Sequence, residues 1–243
     1  MKNLLIIGST SGIINNSLDS FLKKKYKIFA TFNNKNSLKE ISQKIIKNKN
    51  IKFIKLNLLS SDKEIIRVLE KNKVKADIII NSVGGSFGIK EYPYDMKIWN
   101  KSLNLNIFKH ILINNYFLKK MISNKFGRIL FFSTTAVEDP KTSITYSTSK
   151  ALLENYVKKS AAIFGKYNIL INCIKTSLVA AKNNNWYKAT IQKPNEVNDL
   201  VKKIIAVEKI GKAEDLAKFI DLIISPDNKF MNGSIVRIDG GVK

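Results

Sequence analysis

The chain has 243 residues, of which 44% are hydrophobic, and this length and composition fit one large α/β domain or at most two small ones. Its formal net charge of +23 would suit a nucleic-acid-binding protein, but arginine occurs only at positions 67, 128 and 237, and lysine is spread along the whole chain. We therefore interpret the charge as a bias in residue usage and predict no specific nucleic-acid partner.

The sequence carries no sign of a membrane or secretory protein. No apolar run approaches the ~18 residues of a membrane-spanning helix, and the N-terminus leads directly into a strand-like run without a signal-peptide cleavage pattern. The single cysteine, Cys173, cannot form an intramolecular disulfide, which fits a reducing compartment. These features predict a cytoplasmic protein with no membrane partner.

Apolar runs of strand length alternate with amphipathic runs of helix length along the chain. We predict strands at residues 4–7, 28–32, 51–56, 77–80, 128–132, 169–174 and 234–238. We predict helices at residues 13–24, 38–46, 63–71, 97–122, 145–164 and 213–223. The alternation is typical of βαβ units and predicts an α/β fold with a doubly wound, seven-stranded parallel sheet that has helices on both faces.

The stretch 176–198 interrupts this alternation, with Asn183, Trp186, Tyr187 and Pro194 in a run without clear periodicity. Long irregular insertions in compact domains are usually functional lids or disordered segments. Because no linker rich in Gly, Ser or Pro is present, we predict a single domain over residues 1–243 with a substrate-loop insertion at about 176–198.

A Gly/Ser-rich hexapeptide, GSTSGI at residues 8–13, follows the first predicted strand and opens the first predicted helix. In this context Gly8 and Gly12 permit a tight turn, and the start of the helix faces a pyrophosphate in dinucleotide-binding fingerprints. Ile14 stands where a third glycine is expected. An ordinary strand-to-helix turn is the alternative interpretation.

Tyr146 and Lys150 lie four residues apart at the start of the predicted helix 145–164, so their side chains share one helix face. A tyrosine hydroxyl titrates near ~10, and a neighbouring cation lowers that pKa toward the range of a general acid at neutral pH. The pair is therefore a candidate proton-transfer device. A half-exposed pair on a lysine-rich helix is the alternative.

Several motifs follow one another at characteristic intervals, and together they resemble the short-chain dehydrogenase/reductase family along nearly the whole chain. They resemble in particular the single-domain type that includes 3-oxoacyl carrier-protein reductases. The motifs are Gly8/Gly12, Asn81-Ser82-Val83-Gly84, Asn106, Ser133, Tyr146-x-x-x-Lys150 and Asp239-Gly240-Gly241.

The resemblance implies a Rossmann-like fold that binds NAD(P) and a reaction that interconverts a carbonyl and a secondary alcohol. It implies that Tyr146 is the general acid or base, that Lys150 lowers its pKa, and that Asn106 organises a proton-relaying water chain. A hydroxyl would hold the substrate oxygen. Counting back from Tyr146 gives Ser133, which we favour, whereas counting forward along the strand from Gly127 gives Thr134.

The resemblance also implies a set of cofactor-binding residues. They are Gly8, Ser9, Thr10, Ser11, Gly12, Ile13, Asn33, Asn57, Leu58, Asn81, Tyr146, Lys150 and Val179. No carboxylate follows the second strand, where an acid would bind a ribose 2′-hydroxyl and repel a 2′-phosphate. Asn33 and Lys35 stand there instead, so we expect NADP(H) to be favoured over NAD(H). We expect no metal.

The expected partner is a small-molecule carbonyl or alcohol substrate. Lysines at positions 175, 182, 188 and 193 motivate the hypothesis of an anionic or carrier-linked substrate, although they also fit the general lysine bias. The resemblance implies a homo-oligomer, a tetramer or dimer, formed through the helices 97–122 and 145–164. The rival interpretation is a non-catalytic dinucleotide-sensing or scaffolding member of the same fold.

Overall fold

The computed structural model describes residues 1–87, 95–182 and 184–243. Within these residues, seven parallel strands form one sheet in the order β3-β2-β1-β4-β5-β6-β9. Its strands are β1 (Asn3–Ile7), β2 (Lys27–Phe32), β3 (Ile51–Lys55), β4 (Ile78–Asn81), β5 (Gly127–Thr134), β6 (Ile169–Thr176) and β9 (Ile235–Ile238). Two short strands, β7 (Val179–Ala180) and β8 (Gly211–Lys212), pair separately. The predicted seven-stranded parallel sheet is confirmed.

Helices connect the strands. They are α1 (Gly12–Asn15), α2 (Leu18–Lys23), α3 (Gln43–Ile46), α4 (Asp62–Lys71), α5 (Met96–Leu103), α6 (Lys109–Asn124), α7 (Ile144–Phe164), α8 (Asn185–Gln192), α9 (Pro194–Ile204) and α10 (Ala213–Ile224). A π-helical turn, Asn104–Phe108, joins α5 to α6, and short 3₁₀ segments lie at Lys35–Glu40, Thr135–Val137 and Gly165–Tyr167. No helix within the described stretches is long and apolar enough to cross a membrane.

The sheet is covered on both faces because alternate residues of each strand point in opposite directions. Leu4 and Ile6 of β1 pack on the face that carries α1, α2, α3 and α10. Leu5 and Ile7 pack on the other face, with α4, α6 and α7. Two apolar cores therefore enclose the sheet, as the near-continuous apolar strands predict.

The chain changes direction at β1, which has β2 on one side and β4 on the other. In doubly wound sheets, ligands bind at the carboxyl ends of the strands that flank such a switch point. The Gly8 turn follows β1, Asn81 ends β4 and Thr134 ends β5. The sequence motifs thus converge on one edge of the sheet.

Two predicted helices are divided in the structure. The helix predicted at 13–24 is interrupted between α1 and α2 at Asn16 and Ser17, residue types whose side chains compete with the helical backbone. The segment predicted at 38–46 is a 3₁₀ segment followed by the single turn of α3, which Ser42 caps.

The prediction of an irregular insertion at 176–198 was wrong for most of its length, since it contains β7, α8 and the start of α9. The Asn184 side chain accepts a hydrogen bond from the Tyr187 N–H and caps α8, and Pro194 occupies the first turn of α9. Val197 and Val201 of α9 pack with Ile205 in a small separate cluster. Asn183 lies outside the described residues.

Candidate active site

The turn after β1 requires glycine at position 8. Gly8 has a φ of +90°, and a Cβ built there would lie 2.5 Å from Val83 Cγ2. The Ser9 N–H and Oγ both donate to the Thr31 carbonyl, at 2.8 and 2.9 Å. Ser9 is fully buried, so its side chain fastens the turn to β2 and is unavailable to a ligand.

Gly12 is in close contact with the segment that follows β7. A Cβ on Gly12 would clash with the Lys182 carbonyl oxygen, and Lys182 Nζ forms an ion pair of 2.8 Å with Glu40. Ser11 Oγ accepts a hydrogen bond from the Ile14 N–H at 3.4 Å. The Ile14 side chain is buried in the core beneath α10, so its bulk does not enter the crevice at the sheet edge.

A cleft of about 720 Å³ lies beside Gly12, between the first helices and residues 180–182 with Tyr187 and Thr190. Tyr187 lines it and is 39% exposed. The cleft is also lined by Asn15, Asp19, Glu40, Lys182 and Glu214. Tyr187, which belongs to the predicted substrate-loop insertion, therefore faces a cavity next to the glycine turn.

The loop after β4 is held from three directions. Ser82 Oγ donates to the Ile7 and Gly8 carbonyls at 2.8 and 2.9 Å. His110 Nε2 lies 2.9 Å from the Val83 carbonyl oxygen, and its Nδ1 lies 3.1 Å from Asn81 Oδ1. Burial, followed by the charge of Lys150, lowers the pKa of His110 to about 4. His110 is thus a neutral anchor of this loop at neutral pH.

Asn106 supplies the third anchor from within the π-helical turn, a distortion that is frequent at functional sites. Its Oδ1 accepts from the Gly85 N–H at 2.9 Å, and its Nδ2 donates to the Gly85 carbonyl at 3.1 Å. Nδ2 also lies 2.9 Å from the Ser102 carbonyl oxygen, and Ser102 Oγ donates to the Thr145 carbonyl at 3.2 Å. Asn106 therefore links the loop to the residue that precedes Tyr146.

The Lys150 ammonium is buried beside this loop. Nζ donates to the Phe132 carbonyl at 2.8 Å. A Cβ on Gly84 would lie 3.0 Å from Nζ and 2.8 Å from Asn106 Oδ1, so the glycine lets both groups approach the loop. Burial lowers the pKa of Lys150 to about 8.

Tyr146 is half-buried, and its ring centroid lies 5.9 Å from Lys150 Nζ. Burial raises the pKa of the Tyr146 hydroxyl to about 12. In this structure the Lys150 ammonium lies beside the ring and burial dominates, so the lowering of this pKa by Lys150 stays a prediction. The phenol is protonated at neutral pH, the form that can donate a proton.

Ser133 and Thr134 differ in what their hydroxyl protons do. Ser133 continues the side of β5 that carries Ile129 and Phe131, and its Oγ donates to Glu154 Oε1 at 2.6 Å. Thr134 Oγ1 accepts from the Ala136 N–H at 3.2 Å. Among the described residues, no acceptor takes the Thr134 proton. The sequence favoured Ser133, but its hydroxyl proton is already donated to Glu154.

Glu154 belongs to a charged cluster that sequence reasoning missed. Lys175, buried at the end of β6, pairs with Glu138 at 2.7 Å and with Glu154 at 3.1 Å. Burial acts to lower the pKa of Lys175, but its hydrogen bonds to the two carboxylates outweigh this effect and raise the pKa. Arg237 extends the cluster to Glu138 at 3.0 Å. The signal available in the sequence was the carboxylate of Glu154, which lies eight residues after Tyr146 on the same helix face.

The lysines considered for an anionic substrate are mostly paired. Lys175 is bound as above, Lys182 pairs with Glu40, and Lys193 pairs with Glu196 at 2.9 Å. Lys188 is exposed on α8. The cations of this segment therefore have internal carboxylate partners in three of the four positions.

The remaining predicted cofactor residues lie along the same edge with different exposure. Asn33 and Asn57 are exposed, and Asn57 Oδ1 accepts from the Leu59 N–H at 3.0 Å. The Leu58 side chain is buried in the core, so only its backbone is available to a ligand. Val179 is buried in β7, and Thr10 and Ile13 are half-buried. No cluster of metal-ligating side chains occurs in the part of the chain that the structure describes.

Proteins of known sequence or structure match this chain over nearly its whole length. Glucose 1-dehydrogenase 2 from Bacillus subtilis (strain 168) is 23% identical over 249 residues, which cover 99% of this chain and 94% of that protein. The structure of ElxO with NADP bound has a TM-score of 0.84 and 25% identity, over 99% of this chain and 98% of that one. A 3-oxoacyl-[acyl-carrier protein] reductase with bound NAD from Brucella melitensis shares the fold, with a TM-score of 0.84 and 18% identity over 99% and 90% of the two chains.

The family described as short chain dehydrogenase matches residues 2–206, which is most of the chain and includes the sheet edge with Asn106, Tyr146 and Lys150. The protein therefore belongs to the short-chain dehydrogenase family of oxidoreductases.

Proposed function

We propose that the protein is an NAD(P)(H)-dependent oxidoreductase that interconverts a carbonyl and a secondary alcohol, with Tyr146 as general acid/base. The observation that carries this proposal is the buried Lys150 ammonium beside Tyr146. Its Nζ has one hydrogen bond to a described residue, the Phe132 carbonyl, and it lies against a glycine loop fixed by Asn106. A buried, under-coordinated cation is costly to stability, and such groups concentrate at functional sites.

The residues at the switch point fit a dinucleotide. Gly8 and Gly84 lack side chains where a Cβ would meet Val83 in one case and Lys150 in the other. Lys150 has N–H donors beyond the one that binds Phe132, and these suit ribose hydroxyls. The cofactor, when bound, supplies or accepts the hydride. The residues that would hold it are Gly8, the backbone of residues 9–13, Asn33, the backbone of Leu58, Asn81, Lys150 and Val179.

We propose NADP(H) as the preferred cofactor. Asn33 and Lys35 are exposed after β2, and neither carries the negative charge that would repel a 2′-phosphate. The similar structures include one with NADP and one with NAD bound, so the preference rests on these residues of the chain itself.

The proton chemistry follows from the two shifted pKa values. With a pKa of about 12, Tyr146 is protonated at neutral pH and can donate to a carbonyl oxygen as hydride arrives. Lys150, with a pKa of about 8, exchanges a proton near neutrality and can reprotonate the phenolate. In alcohol oxidation the same groups act in reverse.

We assign the hydroxyl that binds the substrate oxygen to Thr134. An oxyanion-type contact needs a hydroxyl proton aimed at the substrate. Ser133 donates its proton to Glu154, whereas Thr134 ends β5 at the edge where the motifs converge, and its oxygen only accepts from Ala136. This assignment replaces Ser133, which sequence spacing had favoured.

The substrate we propose is a small carbonyl or alcohol. An anionic or carrier-linked compound has less support than the lysine positions indicated, because Lys175, Lys182 and Lys193 pair with carboxylates of the chain.

We propose a homo-oligomer in the cytoplasm. On the two predicted helices expected at the subunit contact, Ile107 is buried and Tyr156 packs against the core, whereas Leu152 and Ile163 of α7 are 41% and 59% exposed.

The experiment is a titration of the purified protein with NADPH and NADH, followed by turnover of a panel of ketones and aldehydes. We expect nucleotide binding, seen as a thermal shift, and oxidation of NADPH with at least one carbonyl. Binding without turnover of any panel member would favour the rival, a non-catalytic sensing or scaffolding protein. No binding of either nucleotide would contradict both.

A further inference from the structure

We infer that Glu154 is a positioning residue of the active site, which holds the Ser133 hydroxyl away from the substrate and keeps a negative charge beside the Lys150 ammonium. This inference rests on the proposed function, because it assigns a role around the same pair of residues. It assigns a role to Glu154, for which neither the family motifs nor the spacing of the sequence predicted one.

The first support is the geometry of Glu154 itself. Its carboxylate contacts side chains of two neighbouring strands, with Ser133 Oγ of β5 at 2.6 Å and Lys175 Nζ of β6 at 3.1 Å from Oε1. The Glu154 side chain is 15% exposed. A short hydrogen bond to an ionised acceptor is stronger than one between neutral groups, so it fixes the Ser133 rotamer.

The second support is the position of Glu154 on α7. Tyr146, Lys150 and Glu154 are spaced by four residues, so the three side chains share one face of the helix. Glu154 therefore flanks Lys150 on one side and Tyr146 flanks it on the other. The carboxylate acts to raise the pKa of Lys150, against the larger effect of burial.

The other ionisable groups around Lys150 do not supply this negative charge. Tyr146 on α7 has a pKa of about 12 and His110 on α6 has one of about 4, so both are neutral near pH 7. Burial raises the pKa of Cys173 on β6 to about 12, so its thiol is neutral as well. Among the described groups that act on Lys150, Glu154 is the one carboxylate, and it pairs with Lys175.

The variant that isolates the charge is E154Q, because an amide keeps the shape and still accepts from Ser133. The readout is the titration of Lys150 by NMR, with lysine labelled at ¹³Cε in the protein without nucleotide. A lysine with a pKa near 8 stands apart from exposed lysines near ~10.4. Loss of its signal in K150M assigns it.

We expect E154Q to lower the Lys150 titration midpoint by at least about half a pH unit. The matched control, K175M, removes the other member of the ion pair but keeps the carboxylate, so we expect the midpoint to stay or rise. E154D keeps the charge and should restore the wild-type value. An unchanged midpoint in E154Q, or an equal drop in K175M, would overturn the inference.

A second readout is the pH dependence of kcat/KM for carbonyl reduction. We expect its alkaline limb to move to lower pH in E154Q, by the same shift that NMR records, whereas a purely structural role would reduce activity by one factor at all pH values. Because the NMR titration needs neither nucleotide nor turnover, a protein without activity would contradict the proposed function and leave the test of Glu154 intact.

Discussion

Two buried cations lie at opposite ends of β5 and differ in how they are bound. Arg128, at the start of the strand, is 1% exposed, and each of its three guanidinium nitrogens has a hydrogen-bond acceptor. Its acceptors are the main-chain oxygens of Gly127, Asn168, Ser225, Pro226 and Asn228. Lys150, beside the end of the strand, is 4% exposed and donates to Phe132.

This difference separates a structural cation from a reactive one. Arg128 joins β5 to the chain after α10 and to the turn before β6, and the guanidinium fork suits several fixed acceptors at once. Lys150 lies at the edge where β1 and β4 end and has one acceptor among the described residues, and burial lowers its pKa to about 8. Saturated hydrogen bonding indicates a role in stability, and unsaturated bonding beside a glycine loop indicates a role in chemistry.

The largest expected effect comes from K150M. Turnover should fall by at least about 10³-fold, because the phenol of Tyr146 loses its proton-exchange partner. Steady-state NADPH oxidation with a carbonyl substrate measures this. K150R keeps the charge but changes the geometry, and it is the comparison variant. We expect its turnover to fall as well.

K150M should also raise the free energy of unfolding, whereas removal of a structural cation such as Arg128 should lower it. In the folded protein the pKa of Lys150 is about 8, below the ordinary 10.5. The buried charge therefore destabilises the fold fully below pH 8, and this destabilisation disappears as the pH rises to 10.5. We expect about 1–3 kcal/mol of added stability at pH 7, after loss of the bond to Phe132. Urea unfolding at pH 7 and pH 10 measures it, and the gain should shrink at the higher pH.

R128M is the counterpart at the other end of β5. It leaves buried carbonyl oxygens without donors, so we expect the free energy of unfolding to fall by at least about 3 kcal/mol. R128K should recover little, because an ammonium cannot reach acceptors on both flanking segments. Thermal unfolding of the two variants decides this, and a stable R128M would break the comparison.

The next prediction separates Ser133 from Thr134. T134V removes the free hydroxyl proton and should reduce kcat by about 10²-fold, whereas S133A should reduce it by less than about tenfold. A larger loss in S133A than in T134V would return the oxyanion role to Ser133. T134S keeps the hydroxyl and should retain most of the activity.

The smallest expected effect is that of G84A. The added Cβ would meet Asn106 Oδ1 at 2.8 Å and Lys150 Nζ at 3.0 Å, so both must shift. We expect NADPH to bind about tenfold more weakly, which corresponds to ~1.4 kcal/mol. G85A is the matched control, since a Cβ there would meet no atom of the described residues within 4 Å, and it should leave the dissociation constant unchanged.

The sheet was predictable because each strand is a short, nearly continuous apolar run between polar turns, as in β4 and β5. Tyr146, Lys150 and Asn106 were predictable because local spacing and a recognisable order of motifs mark them. The bond from Ser133 to Glu154 was not, since it joins residues 21 apart on a strand and a helix. Only packing determines which of two adjacent hydroxyls turns toward α7.

Other features escaped prediction for related reasons. The pKa of Tyr146 depends on burial, which the spacing to Lys150 does not reveal. The π-helical turn at Asn106 is a backbone irregularity inside an otherwise helical pattern. The helices α8 and α9 were hard to predict because asparagines and Pro194 are typical of loops, whereas here Asn184 caps α8 and Pro194 lies in the first turn of α9.

The central claim is that Tyr146 transfers the proton while a nicotinamide transfers the hydride. Its most direct test is Y146F, compared with the wild type for carbonyl-dependent NADPH oxidation and for the NADPH dissociation constant. We expect turnover to fall by at least about 10³-fold, with folding and NADPH affinity retained. Wild-type turnover in Y146F would contradict the account.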